Sequence, residues 1–91
     1  MSAPKSAVVC LEYPLNVFGK TISEVALRRP TVADYLSAQR AGGGNQADAE
    51  LQLFCVLSGL TPQELGAMDM TDYVKLQKSF SAFFASTVTP T

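Results

Sequence analysis

Hydrophobic and polar residues alternate along the first part of the chain, which is the pattern of a β-strand with one buried face. Apolar residues fall two positions apart over residues 9–17, and a second, shorter alternation covers residues 21–29. Phe18-Gly19-Lys20, which lies between them, contains the glycine of a tight turn. The pattern predicts an antiparallel β-hairpin over residues 8–29.

The length of the turn decides which residues of the two strands share a face. A three-residue loop places Leu27 beside Leu11, and it places Val25 beside Tyr13. A two-residue loop would put the members of each pair on opposite faces, although a single buried face needs them together. Phe18 is also poorly suited to the positive φ of a two-residue type I′ turn. We therefore expect the three-residue loop.

The rest of the chain has helical spacing and several helix-start signals. Thr31, Asn45 and Thr61 are each well placed as N-caps, and Thr61 is followed by a proline and by a capping-box glutamate, Glu64. The last helix has two candidate caps, Asp69 and Thr71. The predicted helices run from Thr31 to about residue 40, over 46–58, over 62–67, and from the last cap to about residue 85.

These elements predict an α+β fold, with an N-terminal antiparallel β-hairpin followed by a small bundle of three to four helices. The length of the chain, 91 residues, predicts a single domain over residues 1–91, with its helical part at 31–85. Residues 86–91 are small and polar with one proline, which predicts a disordered tail.

The second helix is apolar on almost every side, because residues 51–57 distribute apolar side chains around its whole circumference. Such a helix is expected to be buried on every side. Gly42-Gly43-Gly44, which precedes it, is expected to form a flexible connector.

Aromatic and aliphatic residues of the last helix fall within one stripe about 100° wide. The stripe allows two interpretations, a face packed on the hairpin of the same chain or a docking surface for a partner helix. The second interpretation makes these residues the candidate partner-binding site. They are Tyr73, Leu76, Phe80, Phe83 and Phe84.

The composition indicates an excess of apolar surface, and it leaves both interpretations of the stripe open. Hydrophobic residues make up 47% of the chain and charged residues only 16%, which is little charge for a small domain with so much surface. The surplus apolar surface predicts a homo-oligomer or an apolar partner. The net charge of -1 argues against a general nucleic-acid binder, since phosphate neutralisation supplies most of the affinity of that class.

Several kinds of chemistry are excluded by residue type. The chain has no histidine, which removes the commonest general base, the usual catalytic triads and most zinc sites. Cys10 and Cys55 lie far apart among apolar neighbours, so we expect two buried, reduced thiols. No metal, no cofactor and no enzymatic activity are predicted.

Neither export nor membrane insertion is expected. The N-terminus lacks the apolar core of a signal peptide. The longest apolar run, residues 53–57, is far shorter than the roughly 20 residues that span a bilayer. We therefore expect a soluble, cytoplasmic chain.

Arg28 and Arg29 lie at the junction between the second strand and the first helix. Adjacent strand residues point to opposite faces, so only one of the pair can lie on a given side. We expect Arg29 on the apolar side and Arg28 in solvent. This placement indicates a structural corner, where the two arginines join the strand to the helix, rather than a nucleic-acid binding site.

The order of motifs resembles the tail assembly chaperones of Mu-like and related contractile-tailed bacteriophages. The resemblance covers residues 11–77, and its departures are Phe18 in the turn and the long glycine connector. The motifs that carry it are LEYPL at 11–15, GKT at 19–21, LRRPT at 27–31, DYL at 34–36, LSGLTPQEL at 57–65 and DMTDYVKLQ at 69–77.

The resemblance implies a non-enzymatic role in the cytoplasm of the host bacterium. Proteins of this kind bind the tail tape measure protein, keep it soluble and help recruit tail tube subunits, and they are not expected in the mature virion. Many also have a longer form produced by translational frameshifting. Because the apolar helix surface agrees with such a role, we expect that the stripe of the last helix, with part of the second helix, contacts apolar helices of the tape measure protein or a sister subunit.

Two alternatives from other classes stay open at this stage. One is a small phage or bacterial DNA-binding regulator that uses Arg28, Arg29 and Arg40. The other is a permanent structural subunit of the phage particle.

Overall fold

The structure, a computed structural model, describes residues 6–85, apart from the side chain of Ala85. It has an antiparallel two-stranded hairpin followed by four helices, which confirms the predicted α+β fold. The predicted disordered tail, 86–91, lies outside the described residues. The elements are β1 (Ser6–Val17), β2 (Lys20–Arg28), α1 (Val32–Ala41), α2 (Gln46–Ser58), α3 (Pro62–Gly66) and α4 (Met70–Ala85).

The hairpin turn has two residues, so the predicted three-residue loop is wrong. Val17 pairs directly with Lys20, and Phe18 and Gly19 both have positive φ, at 52° and 75°. Positive φ at both central positions is the feature of a type I′ turn. Phe18 adopts this conformation although it is uncommon for a residue that is not glycine, and its side chain is exposed.

An irregularity in β1 then restores the match between the two faces. Leu15 pairs with Ile22, whereas Cys10 pairs with Glu24, so four residues of β1, 11–14, lie opposite one residue of β2. The shift of three residues is odd, and it therefore changes which residues of β2 share a face with β1. The requirement for one buried face was correct. The chain meets it by a bulge within β1 and not by the turn.

The new register replaces the predicted neighbours. Val9 pairs with Val25, and Ala7 pairs with Leu27. Val9, Val25 and Leu27 are buried, while Tyr13 is exposed. The predicted pairing of Leu27 with Leu11 and of Val25 with Tyr13 is therefore wrong.

A buried carboxylate accepts the hydrogen bonds of the bulge. The backbone N–H groups of Glu12 and Tyr13 donate to Asp72 Oδ1 and Oδ2, at 2.8 and 2.9 Å. Asp72 is fully buried in the first turn of α4, and Lys75 Nζ lies 3.6 Å from its Oδ1 atom. Lys75 also approaches Glu12 Oε1 at 3.7 Å. We call Asp72, Lys75 and the two backbone donors the Asp72 clamp, which joins α4 to the hairpin.

The charge of Asp72 is favoured in spite of its burial. Burial by itself raises the pKa of this carboxyl, but the hydrogen bonds from Glu12 and Tyr13 and the nearby Lys75 ammonium outweigh it. The pKa of Asp72 is consequently below its ordinary value. The clamp thus joins the two elements through an ionised side chain.

The predicted caps are present at each helix start. Thr31 and Thr61 form capping boxes with Asp34 and Glu64, and Asn45 accepts from the Asp48 N–H. Asp69 Oδ1 accepts from the N–H of Thr71 at 2.8 Å, which makes Asp69, of the two candidates, the residue that caps α4. These side chains occupy the N–H groups that a helix start leaves without a partner.

The core lies between the inner face of the hairpin and the helices behind it. α2 packs against β2 and α1, and α4 packs against β1. The buried apolar core residues are Val9, Leu11, Leu15, Val25, Leu27, Ala38, Leu53, Phe54, Leu57, Leu65, Met68, Leu76 and Phe83.

The prediction that α2 is buried on every side is wrong, whereas the flexibility of the connector that precedes it stays a prediction. Val56 is 43% exposed, so α2 is not buried on every side. The glycine connector is a defined turn in which Gly43 N–H donates to Arg40 O and Asn45 N–H to Gly42 O. A Cβ at Gly42 would lie 2.6 Å from the backbone nitrogen of Ala49, so glycine is what permits α1 and α2 to approach so closely here.

Candidate functional site

The structure divides the aromatic stripe of α4 between the core and the surface. Leu76 is fully buried and Phe83 is 1% exposed, so both pack into the core. Phe80 is half-buried and Phe84 is 40% exposed. Tyr73 is half-buried, with its ring packed edge-to-face on Phe54, 5.6 Å between centroids.

Phe80 and Phe84 form one wall of an open apolar groove. The Phe80 ring packs edge-to-face on Phe84 at 5.1 Å and on Phe54 at 5.5 Å between centroids. The facing wall is the start of α1, where Val32 is 73% and Tyr35 is 52% exposed. This part of the groove has a volume of about 260 Å³, and it is lined by Pro30, Thr31, Val32, Tyr35, Leu53, Phe80 and Phe84.

The groove continues toward the other end of α1 and becomes more polar. A second cavity of about 180 Å³ shares Tyr35, Leu53 and Phe80 with the first. From Thr31 to Gln39 the wall formed by α1 is about 12 Å long, or roughly two helical turns. The added lining residues are Ala38, Gln39, Gln46, Ala49 and Glu50. We call the two cavities together the α1–α4 groove.

Glu50 is the charged residue at the polar end of this groove. Its Oε2 atom accepts from the Tyr73 hydroxyl at 2.9 Å and from Gln77 Nε2 at 3.0 Å. Burial, followed by the hydrogen bond to Glu50, raises the pKa of Tyr73, so its phenol remains a proton donor. These contacts fix the Glu50 carboxylate at the junction of α2 and α4.

Arg28 and Arg29 are engaged within the chain, which confirms the prediction of a structural corner. Arg28 donates to both carboxylate oxygens of Asp34, at 2.7 and 2.9 Å, and its hydrogen bond holds the pKa of Asp34 below its usual range. Arg29 donates to Phe83 O at 3.0 Å, and its guanidinium lies 5.9 Å from the centre of the Phe83 ring. The two arginines tie β2 to α1 and to α4.

Other candidate chemistry is explained by local structure. Glu64 forms the predicted capping box and lies 3.1 Å from Lys20 Nζ. Both cysteines are free thiols, but Cys10 is exposed, so the expected burial of both is wrong. Within residues 6–85, no group of three or more His, Cys, Asp or Glu side chains could hold a metal ion. No helix in this range is long and apolar enough to cross a membrane.

The predicted site residues omitted one wall of the groove and its charged end. Val32 and Tyr35 belong to that wall. Together with Leu36, which does not line the groove, they are apolar residues at helical spacing, and all three are exposed. Ala38 is the buried residue of α1. The sequence signal for this wall was the set of apolar residues at helical spacing in the short helix α1. Glu50 had no such signal, because its role depends on residues of α4 far away in sequence.

An open apolar groove of this shape can receive the apolar face of a helix. The sequence model of one family, phage tail assembly chaperone proteins, E, or 41 or 14, matches residues 8–85. The chain belongs to this family, which confirms the resemblance and suggests a non-enzymatic role. A search of curated proteins and a search of solved structures each found no match.

Proposed function

We propose that this chain binds the tail tape measure protein through the α1–α4 groove and keeps that protein soluble in the cytoplasm of the host bacterium. The observation that carries the proposal is an apolar groove, open to solvent, in a member of the tail assembly chaperone family. A long protein with apolar helices needs such cover until other tail proteins surround it.

The groove suits one face of a helix. Val32 and Tyr35 on one side and Phe80 and Phe84 on the other leave a space about two turns long, with Leu53 as its floor. Apolar side chains three and four residues apart on a partner helix would enter this space together. Burial of their surface would supply the binding free energy at about 25 cal/mol per Å² before the costs of association.

The other members of the predicted site have indirect roles in this conformation. Leu76 and Phe83 hold α4 against the core, and Tyr73 orients Glu50. Direct contact of Leu76 or Phe83 with the partner would require α4 to leave the hairpin. The Asp72 clamp opposes that movement.

The proposal extends to the later steps of tail assembly. The chain helps to recruit tail tube subunits around the tape measure protein, is then displaced, and is not retained in the mature virion. It acts as a homo-oligomer of single-domain chains in a phage with a contractile tail. A longer form made by translational frameshifting carries the same domain.

Co-expression with the tape measure protein from the same genome tests the proposal. We expect that partner to stay soluble and to co-purify at high salt. Salt screens interactions between charges and does not weaken the contacts of an apolar interface. The double variant Phe80→Ser, Phe84→Ser should lose the partner while circular dichroism shows a folded chain. Phe84→Ser alone is the milder variant if the double variant does not fold.

Val56→Ser is a matched control, because Val56 is about as exposed as Phe84 but does not line the groove. It should retain the partner. Equal binding by the groove variants and the control would contradict the proposed site. Binding to DNA that falls steeply with salt would favour a regulator instead, and recovery of the chain from purified virions would favour a permanent subunit.

A further inference from the structure

Glu50 is the charged group of a groove that is otherwise uncharged. Among the described residues that line the two cavities, it is the one that carries a charge at neutral pH. Both of its hydrogen bonds, from Tyr73 and Gln77, go to the Oε2 atom. Within residues 6–85 no cation lies within ion-pair distance of the carboxylate. The Oε1 atom is therefore left to solvent at the polar end of the groove.

A partner helix that fills the groove removes water from this oxygen. A carboxylate that loses water without gaining a cation or a hydrogen-bond donor is destabilised. A cation that reaches it in a partly buried site interacts more strongly than it would in bulk water, because the local dielectric constant is lower. The Glu50 end of the groove consequently disfavours an entirely apolar helix and favours one that carries a cation there.

The positions of the groove residues along α4 set the spacing that such a helix needs. Gln77, whose amide donates to Glu50, lies seven residues before Phe84, so the acidic end is about 10 Å, or two helical turns, from the Phe84 end. Phe80 lies between them, one turn from Phe84. A helix laid along the groove presents one side chain per turn to it. Two apolar side chains would meet Phe84 and Phe80, and the third side chain would meet Glu50.

We propose that the groove selects a partner helix with two apolar residues and one lysine or arginine, in that order and three or four residues apart, and that Glu50 pairs with the basic residue. Tyr73 and Gln77 are positioning residues, because their hydrogen bonds hold the Glu50 carboxylate at the groove. This inference rests on the proposed function, since the groove must receive a helix of the tape measure protein. It adds which helices of that protein bind.

The rate at which the chain leaves the tape measure protein tests the pairing. A tagged tape measure protein is co-expressed with the full chain, the complex is immobilised, and release of the chain on dilution is followed over time. Glu50→Gln removes the charge but keeps the size of the side chain and an acceptor for Tyr73 and Gln77. We expect this variant to leave about tenfold faster, since the loss of an interface contact acts mostly on dissociation.

Glu24→Gln is the matched control, because it removes the same charge from an exposed acid that does not line the groove. Its release rate should equal that of the original chain. Circular dichroism should show that both variants are folded.

A double-mutant cycle separates pairing from a structural role of Glu50 in α2. Each lysine or arginine of the tape measure protein that has this spacing is changed to glutamine in turn. Loss of the paired cation should speed release of the original chain about tenfold. It should not speed release of the Glu50→Gln variant further, because the pair is already broken in that variant.

Two different failures can be told apart. Equal release rates for Glu50→Gln and Glu24→Gln would overturn the pairing and leave the proposed function standing, and so would effects of the two partners that simply add. Failure of the original chain to hold the tape measure protein at all would overturn the proposed function, and the selection of a basic helix with it.

Discussion

The two ends of α4 contact the rest of the protein in opposite ways. At its first turn, the carboxylate of Asp72 is fully buried and every polar contact it makes lies within the chain. Toward its last turn, Phe80 and Phe84 line a groove that is open to solvent. Polar groups are thus inside at one end, and apolar groups are outside at the other.

This difference shows where the fold is held and where it is available for binding. Within the described residues, no buried side-chain nitrogen or oxygen atom lacks a hydrogen-bond partner. The buried polar groups at the clamp end are therefore satisfied within the fold. The groove end has apolar surface without full cover, which is the state expected of a binding surface.

The largest expected effect separates two adjacent phenylalanines of α4. Phe83→Ala removes a ring that is 1% exposed, and we expect it to lower the free energy of unfolding by about 3–5 kcal/mol. Phe84→Ala removes a ring that is 40% exposed, with an expected loss below about 1 kcal/mol. Urea denaturation measures both. Phe84→Ala should nevertheless weaken binding to the tape measure protein. Equal losses of stability in the two variants would contradict the assignment of Phe83 to the core and of Phe84 to the groove.

The next effect concerns the clamp. Asp72→Asn keeps the size of the side chain but replaces one acceptor oxygen with a donor, so one N–H of Glu12 or Tyr13 loses its partner. We expect the Tm to fall by roughly 5 to 15 °C in a thermal scan. Asp69→Asn is the control from the same helix start, because asparagine is an equally good N-cap. A similar fall for both variants would show that the cap, and not the clamp, was lost.

A pH titration of stability should reveal the same clamp. The pKa values of Asp72, Asp34 and Glu64 are all lower in the folded chain than their ordinary values, 3.8 for Asp and 4.5 for Glu. The unfolded chain then binds more protons, so these groups stabilise the fold above the ordinary values. That contribution is lost as the pH falls through the folded pKa values.

We expect the urea midpoint to decline below about pH 4.5 and to decline less steeply in the Asp72→Asn variant. If the urea midpoint declined equally steeply in both proteins, the pKa of Asp72 would be the same in the folded and the unfolded chain. The comparison needs only the two proteins and a series of buffers.

The smallest effect lies in the hairpin turn, far from the groove. Phe18→Asn should raise the free energy of unfolding by up to about 1 kcal/mol, because asparagine tolerates positive φ and the exposed ring contributes little packing. Gly19→Ala is the opposite test, since alanine is strained at a φ of 75°. Binding to the tape measure protein should not change in either variant.

The sequence by itself determined the elements, the caps and the family. Thr31, Asn45 and Thr61 signal helix starts through contacts with residues three positions ahead, so neighbouring residues are sufficient to read them. The α+β order follows from the change of apolar spacing from two to about 3.6 residues. The family is predictable because its motifs are distributed along most of the chain.

Only the tertiary structure decided the register, the division of the α4 stripe and the existence of the groove. The register depends on a bulge in β1 whose freed N–H groups bind Asp72, about sixty residues later in the chain. The stripe is wide enough to reach both core and solvent, and Leu76 and Phe83 entered the core because β1 packs on that side of α4. The spacing of apolar residues along the chain does not predict these contacts between distant residues, because they depend on which helices pack together and which remain apart.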